Sequence, residues 1–138
     1  AIEESLSLKT VCVALSMLLV SSLAYAAVVP DFQGHYERYN NDQLDTDTAF
    51  IDLTKVGSNT YELSGTSVWV GDSSSGLVNF GEIDGVVTLK GNQIDYDVDG
   101  CTLQILLEQD TLVVSKDNGC GGLNVTFNGT YVRTPESQ

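Results

Sequence analysis

Apolar and polar residues alternate along almost the whole chain after residue 31, and this alternation constrains the fold more than any other feature. One face of the stretch 60–70 carries Tyr61, Leu63, Gly65, Ser67 and Trp69. Because successive side chains of a β-strand point to opposite sides, a period of two is typical of strands with one buried face. After the first 26 residues, no stretch keeps the 3.6-residue period of a helix. The sequence therefore predicts an all-β domain.

Turn-forming residues separate the alternating stretches. Short polar segments at 57–59, 91–92 and 108–110 each lie between two apolar stretches, a spacing that favours antiparallel hairpins. Longer polar loops are expected at 40–47 and 72–76. Seven or eight short strands joined in this way predict a small antiparallel β-barrel or a β-sandwich.

A pentad near the start of this domain recurs near its end. Residues 32–36 read Phe-Gln-Gly-His-Tyr, and residues 127–131 read Phe-Asn-Gly-Thr-Tyr. In a strand, the Phe, Gly and Tyr of such a pentad share one face, and the glycine allows tight coiling or a ring lying across the backbone. We expect the two pentads to lie on neighbouring first and last strands that close the barrel, the last strand covering residues 123–133.

The first 26 residues have the composition of a secretory signal. Lys9 precedes an apolar run over 11–20, and the small residues of Ala24-Tyr25-Ala26 suit cleavage after Ala26. We expect a signal-peptide helix that is removed on export, which leaves residues 27–138 as one domain of 112 residues (138 − 26). A transmembrane anchor is the alternative, because the apolar stretch continues to residue 29. We expect no stable membrane anchor, because serines dilute the run.

The domain is strongly acidic. The chain has 19 acidic and 6 basic residues, a net charge of −13, and the loss of Glu3, Glu4 and Lys9 with the leader leaves −12 (17 against 5). Such a surface repels nucleic acid and anionic lipid and speeds the capture of cationic partners. We therefore expect a cationic protein partner and no nucleic acid.

Two cysteines follow the leader, Cys101 and Cys120. In an oxidising compartment an isolated pair of this kind forms a disulfide that stabilises a small domain. A redox or metal role is not favoured, because the two are far apart in sequence and His35 is the chain's one histidine. We expect neither a cofactor nor a metal.

Catalytic patterns are weak. The run 95–100, Asp-Tyr-Asp-Val-Asp-Gly, resembles the start of a calcium loop, but Leu106 stands where that loop needs Glu. The alternation of Ile94, Tyr96 and Val98 favours a strand whose aspartates face solvent. His35 is expected to be a packed or rim residue of a strand, and no nucleophile elbow is present. Sequons at 124–126 and 128–130 are interpreted as parts of the last strand. The sequence favours a protein that is not an enzyme.

The glycine-rich framework from Gly81 onwards resembles a known group. The motifs are 81–85 (Gly-Glu-Ile-Asp-Gly), 91–92, 100–103, 112–114 and the Cys120–Tyr131 segment. They resemble small exported β-proteins of Gram-negative bacteria, among them periplasmic lysozyme-inhibitor-like domains. The whole chain is similar to periplasmic immunity proteins that neutralise muramidase-tipped VgrG effectors of type VI secretion. This resemblance implies a non-catalytic inhibitor of a cationic muramidase, located in the periplasm, and a homodimer. An unpaired edge strand free of charge would be the structural sign of the homodimer.

Partner contacts are expected on exposed polar loops. The candidate residues are Asp72, Ser73, Ser74 and Ser75 in one loop, Asp42, Asp45 and Asp47 in an acidic loop, and Glu82 and Asp84 on a glycine-flanked turn. Trp69 borders the first loop and is expected in the core, or, if exposed, as an anchor of the contact. Two other functions are consistent with the sequence: a barrel that holds an apolar ligand, and a structural envelope protein. An interior pocket lined by aromatic residues would favour the ligand-binding barrel.

Overall fold

The structure is a computed structural model that describes residues 31–135. Nine strands follow one another along the chain: β1 (Gly34–Asn40), β2 (Gln43–Leu44), β3 (Ala49–Lys55), β4 (Thr60–Asp72), β5 (Leu77–Lys90), β6 (Gln93–Val98), β7 (Cys101–Glu108), β8 (Thr111–Ser115) and β9 (Gly129–Arg133). The expected signal-peptide helix lies outside the described residues. Within 31–135, no helix is long and apolar enough to span a membrane.

The strands form a closed antiparallel barrel. From β3 to β9 each strand pairs with the next one in sequence, and β1 pairs with β3. β9 returns to pair with β1, so eight strands form a ring and β2 is an extra strand beside β1. The predicted hairpins at 57–59, 91–92 and 108–110 are confirmed as the connections β3–β4, β5–β6 and β7–β8. The fold is therefore a barrel of the predicted size, and not a sandwich.

The period of two places the core inside this ring. On β4 the side chains of Tyr61, Leu63 and Ser67 are fully buried, whereas the intervening Glu62 and Ser64 are exposed. On β6, Ile94 and Tyr96 point inward and the aspartates outward, which confirms the strand interpretation of 94–98. The barrel is filled mainly by side chains, the largest being Tyr36, Tyr61, Tyr131 and Phe127.

The two pentads meet where β1 and β9 close the ring, as predicted. Tyr36 lies opposite Arg133, and Arg38 lies opposite Tyr131. The repeat is in fact Phe-x-Gly-x-Tyr-x-Arg, starting at Phe32 and at Phe127, 95 residues apart (127 − 32). We call these two copies, residues 32–38 and 127–133, the closing seam.

The two copies of the seam make equivalent contacts. Each tyrosine hydroxyl donates a 2.7 Å hydrogen bond to the carbonyl of the phenylalanine four residues before it. Each arginine lies over the tyrosine of the other copy, with its guanidinium carbon 6.0 Å (Arg38) or 5.3 Å (Arg133) from the ring centre. Burial raises the pKa of Tyr131 to about 12, so its hydroxyl remains a donor across the physiological range. An approximate two-fold arrangement thus joins the ends of the described chain.

Two sequence interpretations are wrong in detail. The loop at 40–47 contains the short strand β2. The last strand begins at Gly129, not at residue 123, because the Asp117 carboxylate accepts a 2.7 Å hydrogen bond from the Phe127 amide and holds that segment in a loop. The first sequon therefore lies in an exposed turn, with Asn124 at a φ of 65°, and only part of the second belongs to the strand.

The predicted disulfide is confirmed between Cys101 and Cys120. It ties the start of β7 to the connection between β8 and β9, residues 116–128. Asp117 also accepts hydrogen bonds from the Gly119 and Cys120 amides, at 2.9 and 2.8 Å. This connection is therefore fixed by the disulfide and by the Asp117 carboxylate, which accepts three backbone hydrogen bonds.

Candidate functional site

Up-and-down connectivity places the candidate loops at one end of the barrel. The connections β1–β3, β4–β5, β6–β7 and β8–β9 lie at one end, and the three short hairpin turns lie at the other, because successive strands run in opposite directions. The acidic loop at 41–48 and the serine-rich loop at 73–76 therefore share this end with the disulfide-linked connection.

The β4–β5 hairpin extends beyond the barrel at this end. Pairing between β3 and β4 stops at Ala49↔Ser67, but β4 and β5 continue to pair as far as Asp72↔Leu77. We call residues 68–80 the arm. The base of the arm is fixed by hydrogen bonds from the Val68 amide to the Thr48 carbonyl (2.8 Å) and from the Val70 amide to the Asp47 carboxylate (3.1 Å).

The tip of the arm is a turn held by its own polar groups. The Asp72 carboxylate accepts hydrogen bonds from the Ser74 amide (3.0 Å) and the Ser74 hydroxyl (2.7 Å), and the Ser75 hydroxyl donates to the Asp72 carbonyl at 3.3 Å. The hydrogen bond from the Ser74 hydroxyl is the main reason why the pKa of Asp72 is lowered. The tip is thus exposed, ordered and negatively charged.

Apolar side chains cover both faces of the arm behind this tip. Val70, Val78 and Phe80 are exposed on one face, Phe80 at 68 %, and Leu77 is exposed on the other. Trp69 is half-buried and lies outside the main core cluster, and its ring lies over Gly71, where a Cβ atom would collide with it. The expectation of a core tryptophan is therefore wrong, and Trp69 packs on the arm itself.

The three aspartates of the acidic loop have different environments. Asp45 accepts a 2.9 Å hydrogen bond from Arg38 Nε and is partly buried, so it holds the seam arginine. The Asp47 carboxylate supports the base of the arm by accepting from the Val70 amide, and the Asp47 carbonyl accepts from the seam residue Arg38. Asp42 is exposed, with a φ of 62°. Of the three, only Asp42 is free of hydrogen bonds that support the fold in the described chain.

Glu82 and Asp84 do not lie on a turn. They are exposed on the outer face of β5, opposite Thr66 and Ser64 of β4. The flanking glycines serve packing, because Gly81 lies against the backbone of Gly121. The prediction of a turn here is wrong, and the two carboxylates lie on the barrel wall. At 3.3 Å per residue along β5, they are about 17 Å or more from the tip of the arm.

His35 lies on the same outer wall, on β1, which is separated from β5 by the two strands β3 and β4. Its Nδ1 is 2.6 Å from Asp52 Oδ1, its Nε2 is 3.5 Å from Glu37 Oε1, and its ring lies beside Phe50. Burial by itself lowers the pKa of His35, but the hydrogen bond and charge of Asp52, with those of Glu37, raise it overall. The expectation that His35 is a packed or rim residue of a strand agrees with its place beside Phe50 on the outer face of β1. Within residues 31–135, no three His, Cys, Asp or Glu side chains form a group that could hold a metal ion.

Sequence reasoning missed the exposure of the arm. Leu77 and Val78, like Trp69 and Val70, are apolar at adjacent positions, so both faces of the hairpin are apolar there. This loss of alternation near the tip is the signal that could have identified an exposed apolar segment.

Comparisons of the chain with protein-family models, with curated proteins and with solved structures found no match. The arm, its acidic tip and the charge of the chain are therefore the features that bear on function.

Proposed function

We propose that this protein is a periplasmic immunity protein that inhibits a cationic, peptidoglycan-degrading muramidase. It acts by occupying the substrate cleft of the enzyme, and it performs no reaction itself. The observation that carries the proposal is the arm, whose ordered acidic tip, residues 72–76, projects beyond the barrel from an apolar hairpin.

Charge supports a cationic target. A chain with a net charge of −13 attracts a basic protein over long range, and the attraction speeds the encounter. Asp72 is the acid at the most projecting position, and its lowered pKa keeps it ionised at a lower pH than an ordinary aspartate. Asp42 lies at the same end of the barrel and adds to this field.

The shape of the arm supports insertion into a cleft. A two-stranded hairpin with a turn closed by side-chain hydrogen bonds loses little conformational entropy on binding. The apolar side chains behind the tip supply area that can be removed from water at the rim of a cleft. The tip would contact the basic or polar cleft floor and the arm its walls.

A ligand-binding barrel is less well supported. Four fully buried aromatic rings fill the interior, and the Tyr36, Tyr61 and Tyr131 hydroxyls are already hydrogen-bonded to backbone groups of the same core. An apolar ligand would have to displace these side chains.

The proposal is tested by titrating the purified protein into a purified cationic muramidase, with the heat of binding and the rate of cell-wall turnover followed together. We expect saturable binding and loss of turnover at equimolar protein, with affinity falling as salt rises, because charge attraction is screened over about 8–10 Å at physiological ionic strength. Undiminished turnover and no heat with several such enzymes would refute the inhibitor function.

Charge-matched variants locate the contact. Asp72→Asn and Glu108→Gln each remove one exposed negative charge, but Glu108 lies at the opposite end of the barrel. We expect Asp72→Asn to weaken inhibition about tenfold or more, since it removes a charged contact within the interface. Glu108→Gln should change only the association rate, and slightly. Equal effects of the two variants would show that the tip makes no specific contact.

A further inference from the structure

We propose that the free edge of β5 accepts an extended, basic segment of a partner protein as an additional antiparallel strand, centred on Phe80. The inference deepens the inhibitor function, and it rests on that function only for the identity of the protein that carries the segment. It starts from the way in which β5 leaves the barrel.

The edge of β5 that faces β6 is largely unpaired. The ladder between the two strands contains two residue pairs, at positions 89–90 of β5, although β5 begins at Leu77. At Asp84 the Tyr96 hydroxyl takes the place of a ladder partner: it accepts from the Asp84 amide at 3.1 Å and donates to the Asp84 carbonyl at 2.9 Å. Over residues 77–83, no strand of the described chain pairs with this edge.

Hydrogen bonds on the other side of the arm define which groups of this edge are free. Phe80 lies opposite Val68 on β4. Val78 lies opposite Val70. The amides of Val68 and Val70 both donate away from β5, to the 41–48 loop. Opposite residues of an antiparallel pair point either towards each other or both away, so Phe80 and Val78 direct their amides and carbonyls outward.

Glu82 is the third outward residue, because the direction alternates along a strand without a bulge. These three residues offer three amides and three carbonyls, which form a template for another strand. The inner face of the same segment is backed by the β8–β9 connection. Asn79 Nδ2 donates to the Leu123 carbonyl at 3.1 Å, and Gly81 lies against Gly121. The fold therefore holds the template in place before any partner binds.

The side chains beside this edge define the chemistry of the incoming strand. A residue that pairs with Phe80 or Val78 has its side chain on the same outer face, next to an exposed apolar group. Apolar residues at these two positions would be removed from water together with Phe80 and Val78. A residue that pairs with Glu82 meets a carboxylate, and Asp84 follows on the same face. Within residues 31–135 neither carboxylate has a cationic partner, so a basic residue fits this third position.

Charge decides between a basic segment and a second copy of this chain. Two copies with a net charge of −13 each repel one another at long range, whereas a basic protein is attracted. A second copy would bring its own Glu82 and Asp84 to an edge that already carries both. A lysine or arginine opposite Glu82 instead forms a cross-strand pair of opposite charge. A basic segment is therefore the occupant that the charges of this edge favour.

The test uses a labelled cyclic β-hairpin peptide whose free edge strand reads Lys-Thr-Val-Thr-Val. In the antiparallel register its lysine faces Glu82 and its two valines face Phe80 and Val78. We expect saturable binding to the purified protein, measured by fluorescence anisotropy. Hydrogen exchange should slow at the Val78, Phe80 and Glu82 amides when the peptide is bound.

Matched peptides separate backbone pairing from simple attraction. Methylation of the central valine nitrogen removes a hydrogen bond of the ladder and should raise the dissociation constant about tenfold. Methylation of the preceding threonine nitrogen, which points away from β5, should change the dissociation constant less than about twofold. A peptide with glutamate in place of lysine should bind more weakly than the parent peptide, because it places two carboxylates opposite each other.

Variants of the protein test the same contacts from the other side. Val78→Pro removes one outward amide and should raise the dissociation constant of the peptide about tenfold, with a thermal melt close to that of the parent, because proline is tolerated where the N–H faces away from the ladder. Glu82→Gln should raise it about three- to fivefold. Glu62→Gln is the matched control, since Glu62 is exposed on the outer face of β4 opposite Val86, and it should change the value less than about 1.5-fold.

The outcomes distinguish this proposal from the inhibitor function. Absence of peptide binding, or binding that Val78→Pro and the valine methylation leave unchanged, overturns the proposal. Exchange that slows at the edge amides as the concentration of the protein alone rises assigns the edge to a second copy and also overturns it. Where a muramidase is inhibited, Val78→Pro should weaken inhibition about tenfold. Full inhibition by Val78→Pro would overturn the muramidase as the source of the segment and leave the inhibitor function standing. If no muramidase is inhibited, the inhibitor function fails, and the peptide measurements still decide the role of the edge.

Discussion

The closing seam and the arm are built on the same alternating pattern, yet the aromatic side chains of the seam are buried and Phe80 of the arm is exposed. In the seam, Phe127, Tyr131 and Arg38 are buried and each polar atom of the two tyrosines has a partner. In the arm, Phe80 and Val78 are exposed, and one strand edge has no ladder. The difference teaches that a period of two specifies a strand with an apolar face, whereas closure of the ring decides whether that face becomes core or contact surface.

The most direct test of this comparison substitutes one phenylalanine in each region. Phe127→Ala should lower the free energy of unfolding by about 3–5 kcal/mol, because the ring is fully buried and leaves a cavity. Phe80→Ala should change it by less than about 0.5 kcal/mol in the monomer, since the ring is exposed. Denaturant titrations at low protein concentration give both values. Similar losses would mean that the arm belongs to the core.

The second prediction concerns the two seam arginines. Arg38 donates to Asp45 and to the carbonyls of Thr126, Asn128 and Asp47, so Arg38→Ala should cost about 3 kcal/mol or more. Arg133 is more exposed, and its Nε lies 3.4 Å from Asp110 Oδ1 without a hydrogen bond.

For Arg133→Ala we expect a loss of about 1–2 kcal/mol, from its two carbonyl contacts. Urea unfolding of both variants compares them. Equal costs would show that the two halves of the seam are energetically equivalent in spite of their different burial.

Sequence reasoning predicted the seam much better than the arm. The repeat of Phe, Gly and Tyr identified the neighbouring strands, because side chains of one face must meet in a closed ring. The glycines at 81 and 85 suggested a turn that the structure does not contain. A turn and the close approach of Gly81 to Gly121 both require glycine, so the sequence pattern does not distinguish them. Residues 123–128 alternate like a strand, but Asp117 binds the amide that a ladder would need. In both segments the structure is set by contacts between residues far apart in sequence, and a local sequence pattern does not reveal such contacts.

The third prediction concerns the disulfide next to the seam. Reduction of Cys101–Cys120, or replacement of both by alanine, should lower the free energy of unfolding by about 3 kcal/mol in the chain-entropy model for a loop of this length. Calorimetric melts with and without reductant measure the change. Inhibition by the folded, reduced protein should persist, because the hydrogen bonds that fix the base of the arm come from Thr48 and Asp47. A melt that reductant does not shift would contradict the structural role.

The fourth prediction concerns a glycine of the seam. At Gly129 the φ is 144°, and a Cβ atom would lie 2.7 Å from Arg38 Cδ, so Gly129→Ala should cost about 1–3 kcal/mol. Gly57→Ala is the control, since it lies in an exposed turn with an ordinary 3.4 Å contact to Thr60. Thermal melts of the two variants decide the comparison, and a Gly129 variant as stable as the control would show that the seam tolerates a shift of Arg38.

The smallest expected effect comes from His35 on the outer wall. Its pKa is raised in the folded protein, so its ion pairs stabilise the fold below pH 6.5 and this contribution is lost as the pH rises through the folded pKa. Because the side chain is 40 % exposed, solvent screening limits the contribution to below about 1 kcal/mol. Unfolding free energies at several pH values should decline slightly over that window in the parent protein and less in Asp52→Asn. A parent that gains stability there would contradict the sign.

Closure of the ring by Gly129–Arg133 has a consequence for biogenesis. The final strand is the partner of the first, and it comes from the last few residues of the described chain. The chain must therefore leave the ribosome as far as Arg133 before β1 can find its second neighbour, and such distant pairing is slow to form. The barrel is therefore completed last at the closing seam, after every other strand of the ring has become available.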